Sequence, residues 1–218
     1  MFETVGMLRQ GGICMVGLGF CSIAAVTIII ERLIALRRDK VLEPHILRVA
    51  REYGGENAAR QALTVFRRSG SPLARVLEES LQTRRLEHAQ SVEAVHATGR
   101  SQVARLEKGL TILEIIGGVS PLLGLLGTVL GMVRVFTAIS ASGVGNPQVL
   151  SDGISQALVT TVAGLIVAIP AVGFHSWFSR RIDNYATEML NVSTQFSFRV
   201  RGAEKASSED PKPSARAY

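Results

Sequence analysis

The chain has 218 residues, 47% of them hydrophobic and 19% charged, with a mean hydropathy of +0.25 and a formal charge of +6. Its length allows one or two ordinary domains, but the positive mean hydropathy excludes a typical soluble protein, and the apolar content excludes disorder over most of the chain. A disulfide scaffold is excluded too, because there are two cysteines only.

Residues 11–30, 115–133 and 153–179 contain no Asp, Glu, Lys or Arg, and these runs are 20, 19 and 27 residues long. About 20 apolar residues cross a bilayer as a helix, so three transmembrane helices are expected. The first is predicted over Gly12–Leu36, where Gly17 and Gly19 permit close helix approach. Its apolar stretch is too long for a signal peptide, no basic cluster precedes it, and Glu31-Arg32 with Arg37-Arg38 form a stop-transfer boundary, so it is read as a retained anchor. Cys14 and Cys21 are seven residues apart on one helix face, too distant to bond each other, and read as packing residues.

A polar helical region follows. Pro44 opens a helix, Gly54-Gly55 breaks it, a second helix covers Asn57–Arg68, and Ser69-Gly70-Ser71-Pro72 makes a turn into the next. From Pro72 there is no strong breaker for about 48 residues, and Leu73–Lys108 is rich in good helix formers. One long rod running into the second span is therefore expected, with two stacked helices joined near Gly99 as the alternative. Span two is predicted at Gly109–Ile139 and span three at Gly153–Phe178. Helix continues over Arg180–Arg199, and Ala203–Tyr218, polar and with two prolines, is expected to be disordered. The fold class is thus an all-α membrane protein with three spans and long cytoplasmic helical extensions. Four regions are expected: residues 1–36, 37–108, 109–179 and 180–218.

The charge distribution sets a topology. Lys and Arg number 1 in residues 1–30, 15 in 31–110, 1 in 111–179 and 7 in 180–218. Basic residues lie between the first two spans and after the third, which is the positive-inside pattern. It predicts an outer, periplasmic N-terminus, a cytoplasmic 31–110 region, a short outer hairpin loop and a cytoplasmic C-terminus. The same distribution argues against nucleic-acid binding, the ordinary reading of a basic pI. Trp177-Phe178 with Arg180-Arg181 reads as an interfacial anchor.

Two motifs carry the functional reading. Span two holds Gly124, Gly127 and Gly131, three and four residues apart on one face, a small-residue stripe for tight packing, and Pro121 beside it predicts a kink or local opening. Span three holds Ser155, Gln156, Thr160 and Thr161 in apolar surroundings, with Gly164 and Pro170 further on. Ser and Thr satisfy themselves on their own helix backbone, whereas Gln156 calls for a partner or water. The loop between the spans centres near Val144, so Thr128 and Thr161 stand at equal depth, roughly 25 Å from that centre at ~1.5 Å per residue. Pro121 and Pro170 match in depth as well, and Arg134 and Asp152 are placed to pair near the outer boundary.

The stretch Leu122-Leu123-Gly124-Leu125-Leu126-Gly127-Thr128-Val129, followed by Gly153-Ile154-Ser155-Gln156-Ala157-Leu158-Val159-Thr160-Thr161-Val162-Ala163-Gly164-Leu165 and Ala168-Ile169-Pro170-Ala171, resembles the ExbB/TolQ/MotA proton-channel family. The likeness is closer to ExbB and TolQ than to the longer, four-span MotA, and it covers nearly the whole chain before the tail. It implies a bacterial inner-membrane protein whose copies form a pentameric ring around a dimer of a single-span, ExbD- or TolR-like partner with a membrane Asp. It further implies that Thr128 and Thr161 line the pore, with Gln156 and Thr160 beside them on the proton path. ExbB and TolQ usually carry Glu where this chain has Gln156, which cannot titrate; Asp152, one turn earlier, is a candidate entrance acid. The implied function is a proton-channel subunit that uses the proton motive force to energise TonB-dependent outer-membrane transport, with a TonB-like transducer. A TolQ-like or gliding-motility motor subunit is the alternative, and a non-conducting scaffold is the reading from another class. Glu114, at the inner end of span two, reads as a capping or ion-pair residue, with proton exit as a further role. His45, His88, His96 and His175 lack metal-ligand spacing, and no nucleotide or triad motif stands out, so no enzyme activity, cofactor or metal is expected.

Overall fold

The computed structural model describes residues 12–53, 56–142 and 147–209. Among these the chain is helical throughout, in eight helices: α1 Gly12–Ala35, α2 Arg38–Val41, α3 Pro44–Glu52, α4 Glu56–Ser69, α5 Pro72–Gln82, α6 His88–Glu107, α7 Leu110–Ser142 and α8 Pro147–Glu209. Three of them, α1, α7 and α8, are long and apolar enough to cross a membrane. Only 22%, 22% and 28% of their most apolar windows are buried within the subunit, so most of that apolar surface is left for lipid or for neighbouring chains. Contacts divide the chain into two units, and α8 supplies residues to both.

The first unit comprises the chain up to Leu33 and Gly109–Ser179. Here α1 lies against α7, where a Cβ on Gly17 would meet Leu123 at an ordinary 3.7 Å. At Gly19 a Cβ would meet nothing within 4 Å in the subunit. Both cysteines are free, and Cys14 is buried, in keeping with packing. The helices α7 and α8 form an antiparallel hairpin whose seam is described below.

The second unit comprises Ile34–Lys108 and the chain from Arg180 onward. Pro44 opens α3, and Ser71 caps α5, its hydroxyl accepting from the Ala74 N–H at 3.3 Å, with Pro72 in the first turn. Gly70 precedes that cap at φ 63°, a left-handed conformation that lets the chain turn sharply out of α4. The core is aromatic at its centre: the Phe196 ring meets Tyr53 and Phe66 edge-to-face, with centroids 5.1 and 5.7 Å away. Leu36, Leu42, Ile46, Leu73 and Leu77 of the same unit are fully buried. Polar ties fix the terminal part of α8 in this unit. The Tyr185 hydroxyl donates to the Leu36 carbonyl at 2.9 Å, Arg199 to the Ala50 carbonyl at 3.2 Å, and Arg38 pairs with Glu188 at 2.8 Å.

The expected rod from Pro72 into span two is not formed, and neither is the alternative joint at Gly99, which lies inside α6. The chain breaks between Gln82 and His88 and again at Lys108-Gly109. The first break has a packing cause. Leu73, Val76, Leu77 and Leu81 make an apolar stripe on α5 that a straight rod would leave exposed; folding back buries it with Val95 of α6. Thr83 ends α5 by donating to the Glu79 carbonyl at 2.7 Å and stands 3.1 Å from the Ser91 hydroxyl of α6. At the second break Gly109 adopts φ 92°, which favours glycine, and the Arg32 guanidinium packs against it. The tail departs from expectation as well. Helix persists to Glu209, because Ala203–Ala206 are helix formers and the first proline after them is Pro211. Residues 210–218, the expected break at Gly54-Gly55 and the loop centre at Val144 lie outside the described residues.

Candidate functional site

The seam of the α7–α8 hairpin is built almost entirely from small residues. A Cβ on Gly164 would lie 2.6 Å from the Ser120 carbonyl oxygen and 3.2 Å from the Gly124 Cα. One on Gly124 would lie 3.0 Å from the Thr160 carbonyl oxygen, and one on Gly131 3.0 Å from that of Gly153. A Cβ on Gly127 would collide with the Thr160 side chain, and one on Gly153 with Val135. The glycines are therefore the sites where two backbones touch, the geometry that small-residue stripes provide inside a bilayer. Gly117 continues the seam against Val172. Gly117, Gly153 and Ser120 are seam residues that the sequence motif did not single out. All these contacts hold one antiparallel register, the one in which Thr128 and Thr161 share a level.

This packing divides the four polar candidates. Thr160 is fully buried in the seam opposite Gly127, its hydroxyl donating to the Ala157 carbonyl at 2.9 Å. Thr128 and Thr161, one residue further along each helix, are half-buried. Their hydroxyls donate along their own helices, to the Leu125 carbonyl at 2.6 Å and the Ala157 carbonyl at 3.5 Å. Each has acceptor lone pairs to spare. Gln156 precedes Thr161 by five residues, about 140° around the helix at ~100° per residue. It sits on the opposite flank of the seam from Thr161, where its Oε1 accepts from Arg134 at 3.2 Å.

That bond corrects the expected Arg134–Asp152 pair. Asp152 is exposed, and Arg134 donates to Gln156 instead. Asp152 and Gln156 are one turn apart on α8, and the register of the glycine contacts brings the second of them, not the first, under the guanidinium. Pro121 and Pro170 both lie inside helices that run on through them. The missing N–H of Pro121 leaves the Gly117 carbonyl without its helical donor, and beside it the Ser120 hydroxyl is fully buried with no hydrogen-bond partner among the described residues. At the far end of the hairpin from Asp152, His175 Nε2 stands 4.0 Å from Glu114 Oε2. No group of three or more His, Cys, Asp or Glu suited to a metal ion occurs among the described residues.

Residues 68–191 match the MotA/TolQ/ExbB proton channel family. Among curated proteins, a putative biopolymer transport protein ExbB homolog of Methanothermobacter thermautotrophicus is 28% identical over 91% of this chain and 72% of its own length. A putative ExbB-like biopolymer transport protein of Synechocystis is 35% identical over 77% of this chain and 81% of its own. The biopolymer transport protein exbB1 of Vibrio cholerae is 49% identical, over 34% of this chain and 32% of its own length.

Proposed function

This chain belongs to the MotA/TolQ/ExbB proton channel family, and from that premise we propose that it is the proton-channel subunit of an inner-membrane motor, ExbB-like, that uses the proton motive force to energise TonB-dependent transport across the outer membrane. In this reading five copies surround two helices of a single-span, ExbD- or TolR-like partner, whose membrane carboxyl takes and gives up the proton. The observation that carries the reading is the open threonine pair: Thr128 and Thr161 are level with each other, half-buried, and flank a seam closed by glycine.

The physics is that of a charge moved through a field. A charge crossing the membrane releases about 2.3 kcal/mol per 100 mV. A carboxylate is costly in an apolar passage and far cheaper when protonated, so proton uptake and release shift which position the partner helix prefers. Threonine hydroxyls at that level offer a hydrogen bond to either form, because a hydroxyl both donates and accepts. The glycine seam keeps the pair of helices rigid while this happens.

In liposomes holding the ring and its partner, Thr161→Val is expected to lower proton flux about tenfold. That corresponds to one lost hydrogen bond of roughly 1.4 kcal/mol. The isosteric change leaves assembly intact. Flux equal to wild type would favour a scaffold in which the threonines serve packing alone. Gln156→Glu is expected to leave flux within about twofold of wild type and its pH profile unchanged. The Arg134 guanidinium, already bonded to this position, offers the new carboxylate a charge-assisted hydrogen bond in place of the amide's. A new titration step in the flux profile would refute that expectation.

A further inference from the structure

We propose that Glu114 and His175 form a proton-transfer pair at the basic-flanked end of the hairpin, passing protons between the threonine level and the water on that side. The inference rests on the channel reading above, and it joins His175 to Glu114, for which the sequence already offered proton exit.

Between Leu110 and Ser179 the sequence holds four ionisable side chains, Glu114, Arg134, Asp152 and His175. Arg134 does not exchange its proton at any accessible pH. Asp152 is exposed toward the loop end of the hairpin. Gln156 carries no proton to exchange. The groups able to take up and release a proton toward the basic-flanked end are therefore Glu114 and His175 alone, and the fold places them together, 4.0 Å apart on facing helices.

Their position along the hairpin is informative. Glu114 precedes Thr128 by 14 residues, and His175 follows Thr161 by 14 residues. Fourteen residues make almost four turns, so on each helix the acid or base falls near the face of its threonine, roughly 21 Å further along. The antiparallel seam brings both displacements to the same end. Thr128, Thr161, Glu114 and His175 thus border one flank of the hairpin, and Arg134 with Gln156 border the other.

The pair also has the right chemistry. An imidazole can both accept and donate a proton through its ring nitrogens. Glu114 Oε2, 4.0 Å from Nε2, is an acceptor on the facing helix. Within the subunit the Glu114 side chain is 68% exposed and that of His175 26%, so the carboxyl is the more open of the two. In the transfer an incoming O–H bond breaks as the Nε2–H bond forms; the imidazolium then gives that proton to the Glu114 carboxylate or to water, and no electrons move. From α1, Glu31 and Arg32 bond each other at 3.0 Å, and Arg32 packs against Gly109, five residues before Glu114. Along the chain the next charged residues are Lys108, six before Glu114, and Arg180 of α8, five after His175.

The test uses the ring with its partner in liposomes, reading flux against pH on the basic-flanked side. Glu114→Gln and His175→Ala are each expected to slow flux at least about tenfold, the scale of a lost proton-transfer group. Imidazole buffer on that side should restore His175→Ala, which a merely structural pair would not permit. His175→Gln, polar and close in size, covers failure of His175→Ala to assemble; its flux should lose the pH dependence of wild type. Variants that assemble and conduct like wild type, or that imidazole fails to restore, would overturn the proposal and leave the channel reading standing. A wild-type complex that conducts no protons would overturn both.

Discussion

Gly164→Leu is expected to abolish both the proton flux and the ring assembly proposed above. A Cβ at this position meets the Ser120 carbonyl oxygen at 2.6 Å and the Gly124 Cα at 3.2 Å. These are backbone atoms of α7, and they cannot rotate out of the way. Even a single added methyl in a packed seam costs typically 1–3 kcal/mol, and a leucine forces the helices apart along their length. Ser120 and Gly124 would lose their neighbour, and the threonine level would lose the rigid pair that frames it. Gly173→Leu is the matched control, since nothing stands within 4 Å of a Cβ there. Size-exclusion chromatography of detergent extracts and flux in liposomes read both variants. A Gly164→Leu ring of normal size and normal flux would show that the seam is not a close backbone contact.

The second large effect lies in the other unit. Phe196→Ala is expected to destabilise it by about 3–5 kcal/mol. Phe196 is 1% exposed, and its ring joins Tyr53 and Phe66 edge-to-face. Alanine leaves a cavity that helices cannot close without breaking the polar ties on either side of it, Tyr185 to Leu36 and Arg199 to Ala50. Rapid proteolysis within α3–α6 at a temperature where wild type resists is the expected readout. Leu86→Ala, at a side chain 48% exposed, should digest like wild type. Equal resistance of Phe196→Ala would place the core elsewhere.

The two effects separate what holds each unit. The first is held by backbone contact, because lipid offers apolar side chains as good a home as a neighbouring helix does. The second is held by burial of aromatic and aliphatic side chains from water. The composition reflects this: glycine dominates the α7–α8 seam, and Phe, Tyr, Leu and Ile dominate the core around Phe196.

Much of the site was legible in the residues alone. The runs free of charge announced the three membrane-length helices. The Gly124-Gly127-Gly131 spacing announced a packed face, and the antiparallel count from the loop announced the common level of Thr128 and Thr161. The same count places Glu114 beside His175, yet the sequence gives a boundary histidine no distinguishing mark, and the pair emerged only when the helices were seen to face each other. The partner of Arg134 was misjudged for a related reason. Asp152 and Gln156 are one turn apart, and charge complementarity favours the acid, whereas the seam puts the amide within reach.

Hydropathy, helical character, charge asymmetry and the depth of each residue along its helix were determined by the sequence itself, because each is a sum or a count along the chain and tolerates local error. The break between α5 and α6, the burial of Thr160 beside the openness of Thr161, and the pairings of Arg134 and His175 were decided only by tertiary structure. Each depends on rotation about a helix axis, where one residue is worth ~100°, and that rotation is fixed by which backbones can touch and which apolar stripes must be covered.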